Sequence, residues 1–233
     1  MPNELILILS VAVIFTLPVL ASRFFGEYGL VAWNVIATVL ANIEVMLLVR
    51  AFGMEQTLGN VLFASTFLTT DIIHELYGAR SAKRTVYIGV FASVCFLVIS
   101  QSWLLYTPSA GDWARGAFGA LFSFTPRLVL ASLLVYAVSQ RFDVWLYSAL
   151  WKLTERKTGD KKPALWVRNL STLGSQLINT VLFSLGAFLW VYDGATLFSI
   201  ILSTFVIYVI TSLLDTPFIY LARRLGKPKE QAE

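Results

Sequence analysis

Charge is scarce in this chain. Only 14% of its 233 residues are Asp, Glu, Lys or Arg, against about 25% in an ordinary soluble domain. The formal net charge of +4 is spread through short connections, so no extended basic face exists for nucleic acid. Cysteine is nearly absent too: Cys95 stands alone in an apolar stretch, which excludes an intramolecular disulfide and a cysteine metal cluster. His74 is the sole histidine, too few nitrogen ligands for a zinc site. No nucleophile elbow, HExxH, Walker or dinucleotide fingerprint occurs in a usable context. Neither metal nor organic cofactor is expected, and an enzyme is not.

Apolar runs fill the space that charge leaves. Hydrophobic residues make up 57% of the chain and the mean hydropathy is +0.72. Several runs reach the roughly 18–20 residues that cross a bilayer core. The reading is an all-α polytopic membrane protein in one domain, with seven spans at about residues 5–24, 30–52, 57–77, 86–106, 117–138, 166–192 and 195–221. The first run has no basic stretch before it and no small-residue cleavage signal after it, so it reads as a retained helix. The one clearly hydrophilic connection falls at about 144–165, and a basic tail follows at about 223–233.

Basic residues alternate between the connections. Arg23, then Arg80, Lys83 and Arg84, then the 144–165 connection and the tail share one side, while Arg50 and Arg115 fall on the other. The positive-inside rule puts the N-terminus outside and the C-terminus in the cytoplasm of a cell (inner) membrane.

Polar residues on the spans keep helical spacing. Asn34, Thr38 and Asn42 follow i, i+4, i+8 on the second; Thr172, Ser175, Gln176 and Asn179 follow i, i+3, i+4, i+7 on the sixth. The third span ends with Asp71, His74 and Glu75 on one face, and the seventh carries Thr204, Tyr208, Thr211 and Asp215. Any single Ser or Thr is accounted for by helix–helix hydrogen bonding. Carboxylates and guanidinium groups cost more in the membrane, about 2.5–3.5 kcal/mol at a helix centre on insertion scales. Asp71, Arg127 and Asp215 should therefore pair or line a wet cavity, with Arg127 bridging to an aspartate as one outcome. In the orientation above, Asp71, Glu75, Asp143 and Asp215 lie toward the cytoplasmic ends, and Arg127, Gln176 and Asn179 nearer the midplane. The expectation is a polar chamber in the cytoplasmic half of one bundle. A short echo, S-Q-x-x-[DN], joins Ser139–Asp143 to Ser175–Asn179.

Three stretches together resemble a known family: D-I-I-H-E-L-Y-G at Asp71–Gly78, S-Q-R-F-D-V at Ser139–Val144, and R-N-L-S-T-L-G-S-Q-L-I-N-T at Arg168–Thr180. The resemblance is to the queuosine precursor transporters, also called the vitamin uptake transporter family. It implies import of 7-deazaguanines such as preQ0 and preQ1, or of queuine, for tRNA queuosine salvage. It also implies that the last six spans are similar to the substrate-binding subunits of energy-coupling-factor vitamin transporters. A guanine-like base would be met by Asn34, Asp71, Glu75, Gln140, Asp143, Gln176 and Asn179, with Arg127 and Asp215 completing the chamber. The family pattern carries aspartate where this chain has Asn179, which implies a change in ligand preference or coupling. The partners implied are the bilayer and a small deazapurine, with a second copy or an energising module left open. The rivals are a substrate-binding subunit of an ATP-driven system and an intramembrane enzyme using Asp71, His74 and Glu75 as acid and base.

Overall fold

The computed structural model describes residues 2–158 and 165–225. Helix α1 runs Asn3–Glu44 and turns back on itself at Gly26, whose φ of 61° and ψ of −139° break the helical path. A side chain would be strained in that conformation, so glycine is required there. The two halves lie against each other: a Cβ on Gly29 would come within 2.3 Å of the Ala21 carbonyl oxygen. The two ends of α1 meet accordingly. Asn3 donates to the Arg50 carbonyl at 2.8 Å, and the Phe52 amide donates to Glu4 at 3.1 Å. One continuous helical segment thus supplies the first two expected crossings.

The second crossing ends earlier than its hydropathy indicates. Rather than running to residue 52, the helix stops at Glu44. Strands β1 (Leu48–Ala51) and β2 (Met54–Thr57) then pair antiparallel, with Ala51 opposite Met54. Phe52 and Gly53 have φ of 52° and 76°, the two left-handed residues of a tight hairpin turn. Apolar residues on both sides of that turn hide it from a hydropathy window.

Helix α2 (Gly59–Tyr77) is closed by Gly78, at φ 91°, whose N–H reaches the Ile73 and His74 carbonyls. Helix α3 (Ala79–Leu105) follows at once. The fifth expected span is two pieces, α4 (Arg115–Phe122) and α5 (Thr125–Thr158). Pro126 lies in the first turn of α5, where its missing N–H costs nothing. The helix continues through Thr158, so most of the expected hydrophilic connection has helical backbone; residues 159–164 lie outside the described residues. Helices α6 (Leu165–Phe188) and α7 (Gly194–Leu225) complete the chain. Asp193 caps α7, accepting from the Ala195 and Thr196 amides at 3.0 and 3.1 Å.

Four helices among the described residues are long and apolar enough to cross a membrane, with a shorter apolar helix at Leu173–Phe188. The chain is an all-α polytopic membrane protein. Its surface fits that setting, with Ile8, Val13, Phe91, Leu134 and Leu213 among the exposed apolar side chains, as lipid contact favours.

The contacts define two faces of the bundle. One holds the β-hairpin, the start of α1 and the α6–α7 connection, joined by the Ser199 hydroxyl accepting from the Glu55 amide at 2.8 Å. The other holds the Gly26 and Gly78 turns. Inside, Phe15, Val19, Leu68, Ile72 and Ile73 form one apolar cluster, with Phe15 edge-to-face on Phe218 at 5.6 Å. A second apolar cluster, of Val45, Leu128, Phe188, Leu197 and Ile200, lies beside the hairpin.

Candidate functional site

A cavity of about 150 Å³ lies between the second half of α1 and helices α2, α3, α5, α6 and α7. Its lining runs from Asn34 and Thr70, near the middle of the bundle, to Val45 and Gly59, beside the hairpin. The hollow therefore spans the middle of the bundle, reaching toward the hairpin along α2 and toward the Gly78 end along α3, through Gly89 and Val86. Leu68, Ile72 and Ile73 of α2 are wholly buried in the apolar cluster and do not line it.

One wall is amide and hydroxyl. Asn34, Thr38 and Asn42 all face the cavity, so the stripe read from the second span is a cavity wall. Asn34 Nδ2 donates to the Thr85 carbonyl at 3.4 Å, Thr38 Oγ1 to the Asn34 carbonyl at 2.6 Å, and Asn42 Nδ2 to the Thr38 carbonyl at 2.8 Å. The wall depends on a close approach by α3. A Cβ on Gly89 would stand 2.8 Å from Asn34 Nδ2, so glycine there leaves room for the Asn34 amide. Helix α2 contributes Asn60, whose Nδ2 donates to Thr204 Oγ1 at 2.8 Å, together with Thr66 and Thr70.

The opposite character comes from aromatic rings. Phe63 and Phe67 pack edge-to-face at 5.3 Å, and Tyr208 lies 6.4 and 6.3 Å from them. Phe183 of α6 joins this lining. Asn60, Phe63, Phe67 and Thr70 were not picked out from the sequence. They follow i, i+3, i+7 and i+10 on α2, the periodicity that exposed the stripe on the sixth span, but the eye rests on charge at the far end of that helix.

The expected site residues divide. Asn34 and Asn179 both line the cavity. Ser139 Oγ donates to Asn179 Oδ1 at 3.5 Å, which joins the two copies of the S-Q-x-x-[DN] echo. Gln176 is buried three residues before Asn179, and its Oε1 has no hydrogen-bond partner among the described residues; neither has Thr180 Oγ1 on the same face. Asp71 follows the cavity-lining Thr70, half-buried and engaged in an interaction. Glu75 forms an ion pair with Arg223 at the Gly78 face, tying α2 to α7. The side chains of Gln140, Asp143 and Asp215 lie outside the described residues, as do those of Arg168, Asn169 and Thr172.

Arg127 is placed differently from its reading. It was expected near the midplane, paired with an aspartate or lining a wet cavity. Because α5 begins only at Thr125, Arg127 stands in the first turn. Its Nε donates to the Gly186 carbonyl at 2.9 Å and its Nη2 to the Leu189 carbonyl at 2.6 Å, with the guanidinium 5.5 Å over the Phe124 ring. It satisfies the open carbonyls at the end of α6, where a cation also suits the helix dipole. Among the described residues, no group of three or more His, Cys, Asp or Glu could hold a metal ion.

The arrangement can bind a flat polar molecule, offering both aromatic rings and hydrogen-bonding amides. Comparisons with known proteins agree with a transport role. A family model described as "Putative vitamin uptake transporter" matches residues 57–222. The chain is 36% identical over 212 residues to a protein of Bacillus subtilis (strain 168) named "Probable queuosine precursor transporter", covering 91% of this chain and 90% of that one. It is 28% identical over 131 residues to the "Queuosine precursor transporter" of Escherichia coli (strain K12), covering 55% of this chain and 57% of that one. No solved structure matches the chain. On the extent of these matches, the chain belongs to the vitamin uptake transporter family, that of the queuosine precursor transporters.

Proposed function

We propose that this protein imports 7-deazaguanine queuosine precursors, such as preQ0 or preQ1, or queuine, for tRNA queuosine salvage, and that the cavity lined by Asn34 and Asn179 is the ligand site. The observation that carries the reading is the pairing of an aromatic wall with side-chain amides in a cavity of about 150 Å³. Drug-sized pockets run to about 300–1,000 Å³; this one suits a single bicyclic base. A deazaguanine ring offers faces for Phe63, Phe67 and Tyr208 and an edge of N–H and carbonyl groups for the amides. Gln176 stands one turn from Asn179 on the same side of α6, and its buried oxygen has no partner among the described residues. No enzymatic step is needed.

Orientation follows from charge. Arg80, Lys83, Arg84, Arg223 and Arg224 sit at the Gly78 face, which we assign to the cytoplasm of the cell membrane. Segment 144–165 and the tail from 223 then belong inside, and the hairpin outside.

Uptake of a labelled deazapurine in a host unable to make its own precursor tests the function, with tRNA queuosine as readout. Asn34→Leu and Gln176→Ala should each remove salvage while the protein still inserts; normal queuosine in both would refute the site. Transport by the isolated chain in liposomes separates a self-sufficient carrier from a subunit that needs an energising module.

A further inference from the structure

The cavity amides are held by their nitrogens, which leaves their oxygens to the ligand. Asn42 Nδ2 donates to the Thr38 carbonyl. A carbonyl can only accept, so the Asn42 amide cannot turn round without losing that bond. Asn60 Nδ2 is engaged with Thr204 Oγ1. Both asparagines are buried and both line the cavity. Among the described residues neither Oδ1 accepts a hydrogen bond, and neither oxygen is sealed off by protein. They stand at the same end of the hollow: a Cβ on Gly59, next to Asn60, would be 2.7 Å from the carbonyl oxygen of Ala41, next to Asn42.

Once a ligand displaces water from the cavity, an amide oxygen left without a donor is costly. Two such oxygens at one end of a cavity therefore favour a ligand that brings N–H groups to them. We propose that Asn42 and Asn60 are specificity-determining residues that select a base with a donor-rich edge, the N1–H and 2-amino group of a guanine-type ring, over a hypoxanthine-type ring without the amino group. The inference rests on the deazapurine reading above and adds which edge is read and by which residues. A site built around a hydrogen bond rejects an analogue lacking it, because the protein group is then stranded. Thr204 acts as a positioning residue: with its hydroxyl accepting from Asn60 Nδ2, the Asn60 oxygen is left to the ligand.

The test is binding of 7-deazaguanine and of 7-deazahypoxanthine to the full chain in lipid nanodiscs. The unaltered protein should favour the amino-bearing ring by at least about tenfold. Asn42→Ala and Asn60→Ala should each bring the ratio to within about threefold of one, while Asn42→Asp, which keeps an acceptor oxygen, should retain a preference. Thr204→Val should weaken the discrimination, and Thr204→Ser should restore it. Equal binding of the two rings by the unaltered protein overturns this inference and leaves the deazapurine reading standing. A preserved ratio in both alanine variants overturns the residue assignment. Binding of neither ring overturns the substrate class itself. The ratio of the unaltered protein needs no variant, so a substitution that fails to insert does not shield the proposal.

Discussion

Replacing Gly89 with alanine perturbs the cavity wall at one defined point. The new methyl would stand 2.8 Å from Asn34 Nδ2 and 3.5 Å from Thr38 Oγ1. Heavy-atom contact becomes comfortable at about 3.5 Å, so the Asn34 amide must retreat by about 0.7 Å. Its bond to the Thr85 carbonyl is already 3.4 Å long, near the outer limit of hydrogen bonding, and the retreat breaks it. A buried donor deprived of its partner costs about 1–3 kcal/mol. If that strain falls on the bound state, affinity drops about 5- to 150-fold. Asn34 is a short side chain with two torsions and can rotate aside, so the helices need not part and the thermal midpoint should move little. The assay is ligand titration against purified protein in nanodiscs, alongside a melting curve. Adding Asn34→Ser removes the amide that clashes, so in that background Gly89→Ala should add almost nothing. An unchanged dissociation constant in Gly89→Ala, or strictly additive effects in the double variant, would refute the argument that Gly89 exists to seat Asn34.

The remaining expectations concern groups away from the cavity. Arg127→Ala strands the Gly186 and Leu189 carbonyls at the end of α6, and hydrogen bonds to a charged group are worth about 1.5–3 kcal/mol. Stability should fall by that order while the substrate KM of the folded fraction stays constant; a KM change without a stability change would put Arg127 in the site after all. Glu75→Gln breaks the ion pair with Arg223, but those side chains are 38% and 48% exposed. Screening limits such pairs to about 0.2–1 kcal/mol, so both stability and uptake should be nearly unaltered, and loss of uptake would return Glu75 to the ligand. Asp193 titrates below the ordinary carboxylate range, held there first by the Thr196 hydroxyl and then by the Thr196 backbone amide. Its folded value lies below its unfolded one, so its capping contribution is complete above the unfolded value and disappears as pH falls through the folded one. Acid melting curves should show this fall, Asp193→Asn should flatten it, and an identical acid profile in that variant would contradict the assignment.

Hydropathy and periodicity carry far in this chain. The spans expected at residues 5–24 and 57–77 match helical stretches to within a few residues, because lipid demands long uncharged runs and backbone pairing within each segment. The Asn34–Thr38–Asn42 stripe and Asn179 were legible as cavity residues for the same reason: in an apolar helix, a periodic polar face stands out. The turn at Phe52–Gly53 was not legible, since Val45–Val49 carries on the apolar run of the helix it follows. Nor was Asn60, a single amide among apolar neighbours whose value appears only opposite Thr204 on α7, 144 residues away.

Charge misled where its partner was distant. Arg127 reads from sequence as a buried cation in need of an aspartate, and in three dimensions it meets the carbonyls at the end of α6. Glu75 reads as a ligand residue and is found against Arg223 at the bundle's end. The sequence by itself determined that the chain is membrane-embedded, which helix faces are polar, and roughly where each helix lies. Only the tertiary structure decided where the cavity lies. That depends on which faces of the six helices meet, on how closely Gly59 lets the end of α1 approach and on the room Gly89 leaves for the Asn34 side chain, and these are properties of packing between helices that no single helix encodes.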